Sequence, residues 1–214
     1  IEKFVRAADC PPKHLLVFRH GVSESQYPVV LNWEVPAFKG AVKRLSDKHM
    51  QGNWSPSLTF CICQRRNQTR LVPANRQDAD RTGNFPAGLV VASTILNDYA
   101  FGFFLQSQKA LKGTSRPSYY QVLVDEAGYN ADEIEQIINA LCYCAGRTGK
   151  SVGCVGPVYH ADLAAKRVRI LNNMPDSDWM SDSQSTMSGA RTMDCALADV
   201  KRINTNMADC MWWM

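Results

Sequence analysis

Apolar residues along this chain form two patterns, short continuous runs and regularly spaced series, which predict different elements. The Leu-Leu-Val-Phe run at 15–18 is typical of a buried strand, which we place over 13–19. Further strands are predicted over 58–64, 69–72, 100–106 and 119–124. Residues 74–86 are polar and rich in Asp, Arg, Asn and Gly, and this composition indicates a loop.

The spaced series predict helices. From about 30 to 49, apolar side chains recur every three or four residues and would form one face of a helix. Pro36 lies early in this series, so it either kinks the helix or marks its true start. Asn130 is a predicted N-cap of a second helix that ends near Gly146. A third helix is predicted from 157 to about 171, and the mixture of strands and helices indicates an α/β fold.

The last part of the chain is less regular. Residues 172–191 are rich in Ser, Asp, Asn and Met and show little periodicity, which predicts a flexible surface insertion. Apolar residues then recur at helical spacing, which predicts a last helix and tail over 192–214. We therefore expect a folded body over 1–171, an insertion over 172–191 and a C-terminal helix and tail over 192–214.

Composition narrows the class of protein. With 45% hydrophobic and 21% charged residues among 214, the chain is neither wholly disordered nor collagen-like. No run approaches the roughly 18 apolar residues of a membrane span, so we expect no membrane partner. Both Cys-x-Cys pairs lie in apolar runs and lack the Cys-x-x-Cys spacing of zinc sites. This favours reduced, packed thiols in a cytoplasmic protein, with a nuclear location as the alternative.

Cationic residues are concentrated in predicted loops, although the formal net charge is only +4. One group flanks the turn at 65–70, and a second lies at 109–116 beside Gly-Thr-Ser. Further cations follow the helix end at 147–150 and lie on the helix at 166–169. Arginine, glycine and small hydroxyl residues together suit a phosphodiester backbone, because guanidinium and backbone donors can reach its oxygens. The alternative is a set of ordinary solvated loops.

Five motifs, in order along the chain, resemble the Piwi domain of eukaryotic Argonaute proteins. Residues 19–28, Arg-His-Gly-Val-Ser-Glu-Ser-Gln-Tyr-Pro, resemble the Arg-Asp-Gly-Val-Ser-Glu-Gly-Gln-Phe motif of that family. Residues 64–71 and 83–88 are similar to its Gln-Lys-Arg-His-His-Thr-Arg-Leu and Gly-Asn-Ile-Pro-Ala-Gly segments. Residues 112–123 resemble its Gln-Gly-Thr-Ser-Arg-Pro-Ser-His-Tyr-His-Val-Leu, and 157–167 its last catalytic and guide-contacting helix. The terminal Trp-Trp-Met is similar to the tails of fungal members.

This resemblance implies a ribonuclease-H-like fold, a mixed sheet flanked by helices. It covers the C-terminal portion of the Piwi domain, because the family's first catalytic Asp and its Glu have no counterpart here. We expect residues 1–171 to form a partial Piwi domain and 192–214 to be its last helix and tail. A sheet that lacks its upstream strands is expected to present an unpaired edge.

The resemblance also implies two catalytic positions, one of them altered. The family's second catalytic Asp aligns with His20, and its fourth metal ligand aligns with Asp162. Ribonuclease-H-type cleavage uses two Mg²⁺ ions held by carboxylates, and Mg²⁺ prefers oxygen to imidazole nitrogen. We therefore expect no slicing, with Asp162 as the remaining candidate metal ligand.

Three alternatives at these positions stay open. Glu24 and His160 are close enough in sequence to substitute for the lost carboxylate. Zinc held by His20, His160 and Asp162 is a second possibility. The third is that Asp162 simply pairs with Lys166 one helical turn away.

Contacts to RNA are implied at a larger set of positions. Carried over by motif, the residues that would meet the phosphates of the guide strand are Arg65, Arg66, Arg70, Arg116, Arg147, Tyr159 and Arg167. The implied partners are a small guide RNA and its complementary target, with base pairing supplying sequence recognition. Silencing effector proteins are further possible partners, although Cys10 and Pro11 replace residues of the family's tryptophan-binding pockets.

Three functions remain open from the sequence. The first is a small-RNA-binding protein that silences without cutting. The second is an RNA-guided, Mg²⁺-dependent endoribonuclease completed by residues upstream of this chain. The third is a degenerate, non-functional fragment.

Overall fold

The computed structural model describes residues 1–49, 52–96, 99–171, 210, 211 and 213. The chain divides into two compact units, Ile1–Val158 and Tyr159–Met214. The predicted insertion over 172–191 lies outside the described residues, as does most of the predicted helix and tail over 192–214. Within the described part of the chain, no helix has the length and apolar character needed to cross a bilayer.

A mixed five-stranded sheet organises the first unit. Its strands are β1 (His14–His20), β2 (Ser57–Gln64), β3 (Leu89–Val91), β4 (Gly102–Gln106) and β5 (Ser118–Asp125). Their order is β1-β2-β5-β4-β3; β1 runs parallel to β2, and the other pairs are antiparallel. The mixed sheet with its helices confirms the predicted α/β class. Among the described residues β2 is the one neighbour of β1, so the sheet ends on that strand.

Strand β2 is buried along most of its length. Leu58, Phe60 and Ile62 are buried and pack with Val22, Val30 and Val35 from the segment that follows β1. A buried Phe103–Tyr120 stack, with ring centroids 5.4 Å apart, links β4 to β5. The Tyr120 hydroxyl also lies 3.9 Å from Cys142 Sγ, which places the chain around Cys142 against this part of the sheet.

The predicted helix over 30–49 is built differently from the simple periodic pattern. The chain first forms a 3₁₀ turn (Glu24–Gln26) and one α-helical turn, here α2 (Tyr27–Val29). A π-helical turn (Val30–Glu34) follows, and a regular helix, α3 (Val35–His49), continues from it. The regular helix begins at Val35, one residue before Pro36, so Pro36 lies in its first turn, where a residue without an N–H is tolerated.

The structure differs from the predicted elements at three places. The strand predicted over 69–72 is wrong: this segment has no regular structure. The Arg70 guanidinium donates to the carbonyls of Asn67 (3.1 Å) and Thr69 (2.7 Å), which ties its side chain to the backbone of this irregular segment. Strand β3, with only three residues, and helix α1 (Glu2–Ala8) were not predicted. Three residues are too few to show an alternating pattern.

The two later helices begin close to their predicted starts, but α4 ends at Leu141 and not near Gly146 as predicted. Helix α4 (Ala131–Leu141) begins with a capping box, in which Asn130 accepts from the Glu133 N–H and Glu133 accepts from the Asn130 N–H. Helix α5 (Gly156–Leu171) starts one residue before the predicted Pro157. Gly156 is required there, because a Cβ at this position would lie 2.8 Å from the Cys144 carbonyl oxygen.

Candidate nucleic-acid interface

The loops that carry the predicted cations leave the sheet at one edge. In the antiparallel β2–β5 pair, Gln64 lies opposite Tyr119, so the turn after β2 and the segment before β5 are adjacent. The side chain of Asn67 joins them by donating from Nδ2 to the Pro117 carbonyl at 2.8 Å. Arg65 and Arg66 therefore belong to the same sheet edge as Arg116.

The segment after α4 is tied to this edge as well. Ser107, just after β4, donates to the Val152 carbonyl at 2.6 Å, and Ser118 of β5 donates to the Gly153 carbonyl. Arg147 lies on this same connecting segment and is exposed. Four of the predicted cations are thus carried by segments anchored at one end of the sheet.

The guanidinium groups at this edge are available to an anion. Arg65, Arg66, Arg116 and Arg147 are exposed, and in the described part of the chain none of them forms an ion pair. Lys109 differs, because its ammonium lies 3.7 Å from Oδ2 of the largely buried Asp80. Hydrogen bonds from Thr82, followed by other hydrogen bonds and Lys109, hold the pKa of the Asp80 carboxyl below its usual value.

Arg70 has a different environment from its neighbours. Its side chain is partly buried, and its guanidinium donates to the Asn67 and Thr69 carbonyls. The structure thus gives Arg70 a clear role in shaping the turn after β2.

His20 ends β1 at the same edge and is held firmly. It lies opposite Cys63 in the parallel β1–β2 pair, with His20 Nδ1 2.8 Å from the Cys63 carbonyl oxygen. Because a carbonyl only accepts, Nδ1 carries the proton in this contact. The preceding Arg19 donates to the His20 carbonyl at 2.6 Å and binds Glu34 through Nε at 2.9 Å. Gly21 then turns the chain with a φ of 77°.

The remaining predicted residues belong to the second unit. Asp162 Oδ2 accepts from Lys166 Nζ at 2.8 Å, which is the pairing along one helix face that the sequence offered as an alternative. Tyr159 is partly buried and makes an edge-on contact with the His160 ring at 5.7 Å between centroids. Trp213 Nε1 lies 3.3 Å from His160 Nδ1. Arg167 is exposed and has no ion pair among the described residues.

The described residues do not fit a Mg²⁺ site. No group of three or more His, Cys, Asp and Glu side chains able to hold a metal ion occurs in the part of the chain that the structure describes. His20 offers imidazole nitrogen, and the Asp162 carboxylate is bonded to an ammonium group. We derive no catalytic step through a metal from these residues.

Sequence reasoning missed the polar side chains beneath the basic loops. Asn84, Gln106 and Ser115 are each at least 94% buried, with exposures of 4%, 1% and 6%. Their hydrogen bonds join the 80–88 loop to the 113–115 loop. The one available signal was the pair of motifs at 83–88 and 112–123, which contain Asn84 and Ser115 but do not reveal that they touch.

Comparison with known proteins gives a consistent result across the chain. The Piwi domain family model matches residues 1–173. Protein argonaute 5 of Arabidopsis thaliana is 37% identical over 214 residues, covering 98% of this chain and 21% of that protein. Protein argonaute 1B of Oryza sativa is 41% identical over 192 residues, covering 88% of this chain and 16% of that protein. The chain therefore spans about a fifth of the length of the curated relatives it matches.

Solved structures agree with the sequence matches. The C-terminal lobe of a budding yeast Argonaute superposes with a TM-score of 0.83 and 29% identity, covering 100% of this chain and 42% of that one. The Kluyveromyces polysporus Argonaute crystallised with a guide RNA superposes with a TM-score of 0.84 and 29% identity, covering 100% of this chain and 25% of that one.

Proposed function

Because the chain belongs to the Piwi-domain family of Argonaute proteins, we propose that it binds the phosphate backbone of a small guide RNA and silences without cutting. The family is one of small-RNA-guided silencing and of ribonuclease-H-like endonucleases. The sheet edge that carries Arg65, Arg66 and Arg116 is the proposed binding surface.

One observation carries this proposal: three exposed arginines without acidic partners, within the described residues, share one sheet edge. Cations on a protein surface are ordinarily interspersed with acids, and an unpaired group of guanidinium ions favours a polyanion. The likeness to an Argonaute that was crystallised with a guide RNA supports the same assignment.

Each residue has a physical task in this proposal. Exposed guanidinium groups donate forked hydrogen bonds to phosphate oxygens, and they fix the position of the strand without reading its bases. Sequence recognition is then left to base pairing between the guide and its target. Arg70 supports the segment after β2 from within. Arg147, Tyr159 and Arg167 are each proposed to contact RNA phosphates as well.

Loss of slicing is the second part of the proposal. His20 stands where the resemblance places a catalytic carboxylate, and its Nδ1 is already engaged by the Cys63 carbonyl. An imidazole cannot bridge two hard divalent ions as a carboxylate does. Residues 1–171 and 192–214 are proposed to be parts of one Piwi domain, and the cytoplasmic location and effector partners stay predictions.

Binding of a 5′-phosphorylated single-stranded RNA to the natural protein tests the first part. We expect Arg66→Ala to weaken binding by about tenfold, since a hydrogen bond to a charged group contributes roughly 1.5–3 kcal/mol net of exchange with water, and about 1.4 kcal/mol corresponds to a tenfold change in affinity. The matched control is Lys43→Ala, which removes one exposed charge beside Trp54 and Leu58 at the opposite sheet edge. Equal effects of the two variants, measured by fluorescence anisotropy, would contradict a localised interface.

A further inference from the structure

The backbone around Arg116 is held by a buried polar network. Asn84, Gln106 and Ser115 lie beneath the loop that carries this arginine, with exposures of 6% or less. Burying amide and hydroxyl groups costs free energy unless each one is hydrogen-bonded. Every one of these three side chains is bonded to another loop or strand, so the network fixes their relative positions.

Asn84 forms two hydrogen bonds to the 113–115 loop. Its Oδ1 accepts from the Ser115 N–H at 2.8 Å, and its Nδ2 donates to the Gly113 carbonyl at 2.9 Å. One planar amide therefore spans residues 113–115 and holds both ends of that short segment. Gly113 has a φ of 73°, a left-handed conformation that glycine adopts without strain.

Asn84 is itself fixed by its own loop. The Asp80 N–H donates to the Asn84 carbonyl at 2.7 Å. Asn84 Nδ2 also lies 3.0 Å from the Thr82 hydroxyl, which in turn donates to Asp80 Oδ1 at 2.5 Å. The amide that holds the Arg116 loop is thus supported by a second, independently bonded loop.

Gln106 anchors the same loop to the sheet. Its Oε1 accepts from the Ser115 hydroxyl at 2.7 Å, and its Nε2 donates to the Phe85 carbonyl at 2.7 Å. Gln106 is the last residue of β4. One strand of the sheet therefore holds both the 80–88 loop, through Phe85, and the 113–115 loop, through Ser115.

The residues after Arg116 are anchored as well. Pro117 accepts through its carbonyl from Asn67, and Ser118 begins β5. Arg116 therefore lies between two held residues, while its own side chain is exposed and without an ion pair in the described part of the chain. A fixed backbone with a free cationic side chain reduces the ordering cost of binding an anion.

We propose that Asn84 is a positioning residue of the RNA interface, acting through Ser115 to set where the Arg116 guanidinium meets a phosphate. This inference rests on the proposed function. Gln106 supports the same arrangement through the Ser115 hydroxyl. Asn84 does not touch the RNA itself, since it is buried beneath the loop.

A double-mutant cycle in the natural protein tests this assignment, with a 5′-phosphorylated single-stranded RNA as the probe. Arg116→Ala is expected to weaken binding by about tenfold. Asn84→Ala is expected to weaken binding by a similar factor, and the double variant to bind no worse than Arg116→Ala alone. If the fold losses in affinity of the two single variants multiplied in the double variant, the proposal would be overturned, because Asn84 would then act independently of Arg116.

Two further variants separate positioning from general stability. Ser115→Ala removes the hydroxyl bond to Gln106 and keeps the backbone bond to Asn84, so we expect a smaller loss of RNA affinity than in Asn84→Ala. In the Arg116→Ala background, Ser115→Ala should cause no further loss of affinity. Asn130→Ala removes the α4 cap, which costs about 1 kcal/mol of stability, and should leave RNA affinity unchanged. If Asn84→Ala unfolds the protein, Thr82→Ala decides the question, because it removes one hydrogen-bond partner of the Asn84 amide and leaves the Asn84 side chain in place. Unchanged binding in Thr82→Ala, or a loss of binding that multiplies with that of Arg116→Ala, overturns the proposal.

The cycle also distinguishes failure of the proposed function. Unchanged binding in Arg116→Ala would overturn the RNA interface and the positioning role together. Weakened binding in Arg116→Ala with unchanged binding in Asn84→Ala would overturn the positioning role alone. Faster hydrogen exchange at Ser115 in Asn84→Ala is expected in either case, since that amide loses its acceptor.

Discussion

Arginines that are close in sequence have different environments in this protein. Arg65 and Arg66 are exposed and without an ion pair among the described residues, whereas Arg70 donates to two carbonyls of its own turn. A single basic motif thus supplies both the proposed binding groups and the residue that shapes their loop. His20 is equally constrained, because Cys63 engages its ring while Arg19 engages its carbonyl.

At His20 the proposal predicts an absence of cleavage. The natural protein, loaded with a guide and supplied with Mg²⁺, is expected to leave a complementary target RNA intact. The reason is that imidazole replaces a carboxylate that would bridge two hard cations. Product formation on a denaturing gel measures the outcome.

Two results would bear on this prediction in opposite ways. Cleavage by the natural protein at the middle of the guide-paired region would contradict it. Cleavage gained only by His20→Asp would support it, because the remaining site would then be competent apart from this one side chain. Asp162→Asn in the His20→Asp background is the control, and it should remove any gained activity.

At the scale of elements, two acidic residues, Glu126 beside β2 and Glu135 on α4, should affect the pH dependence of stability in opposite directions. Glu126 accepts hydrogen bonds from Lys39 and from the Leu58 N–H. These bonds, of which the one from Lys39 has the larger effect, hold the pKa of Glu126 below the usual 4.5. Burial, followed by the nearby Asp132, raises the pKa of Glu135 on α4. The first carboxyl stabilises the fold when ionised, and the second destabilises it when ionised.

The free energy of unfolding, measured by denaturant titration from pH 6 to pH 3, tests this contrast. The Glu126 contribution is present above pH 4.5 and is lost as the pH falls through its lowered folded-state pKa. Glu126→Gln should therefore make the acid loss of stability shallower. Glu135→Gln should make it steeper, because protonation of Glu135 relieves a cost as the pH falls. The same slope change in both variants would contradict the assignment.

Periodicity predicted the elements that are long and bonded by their own backbone. Helix α4, with Asn130 and Glu133 at its start, and strands β1, β2, β4 and β5 follow from their residue patterns. The irregular segment at 69–72 does not, because hydrogen bonds of the Arg70 side chain rather than a backbone ladder hold it. The π-turn before Pro36 also has no periodic signal of its own.

The candidate site was predictable in part. The positions of the cations could be read from the sequence and from the resemblance, because exposed arginines in loops stand out by composition. The contact between Asn84 and Ser115 joins residues 31 positions apart, and no local pattern specifies such a pairing. The same holds for the Lys109–Asp80 pair, which removes one predicted loop cation from the unpaired group.

For the molecule as a whole, topology brings the chemistry together. The mixed order β1-β2-β5-β4-β3 places the ends of β1, β2 and β4 and the start of β5 at one edge, although their loops are far apart in sequence. His20, the Arg65–Arg66 turn and Arg116 share that edge. A polyanion that follows this edge would meet several cations in succession, which predicts a salt-dependent interaction.

The salt dependence of RNA binding tests the central claim most directly. The measurement compares the natural protein with the triple variant Arg65→Ala, Arg66→Ala and Arg116→Ala, using a 5′-phosphorylated single-stranded RNA at several salt concentrations. Each phosphate of a single strand that the protein neutralises contributes about 0.7 to the magnitude of the slope of log affinity against log salt. Loss of three such contacts should therefore reduce the magnitude of that slope by about two. An unchanged slope in the folded triple variant would contradict an RNA interface at this sheet edge.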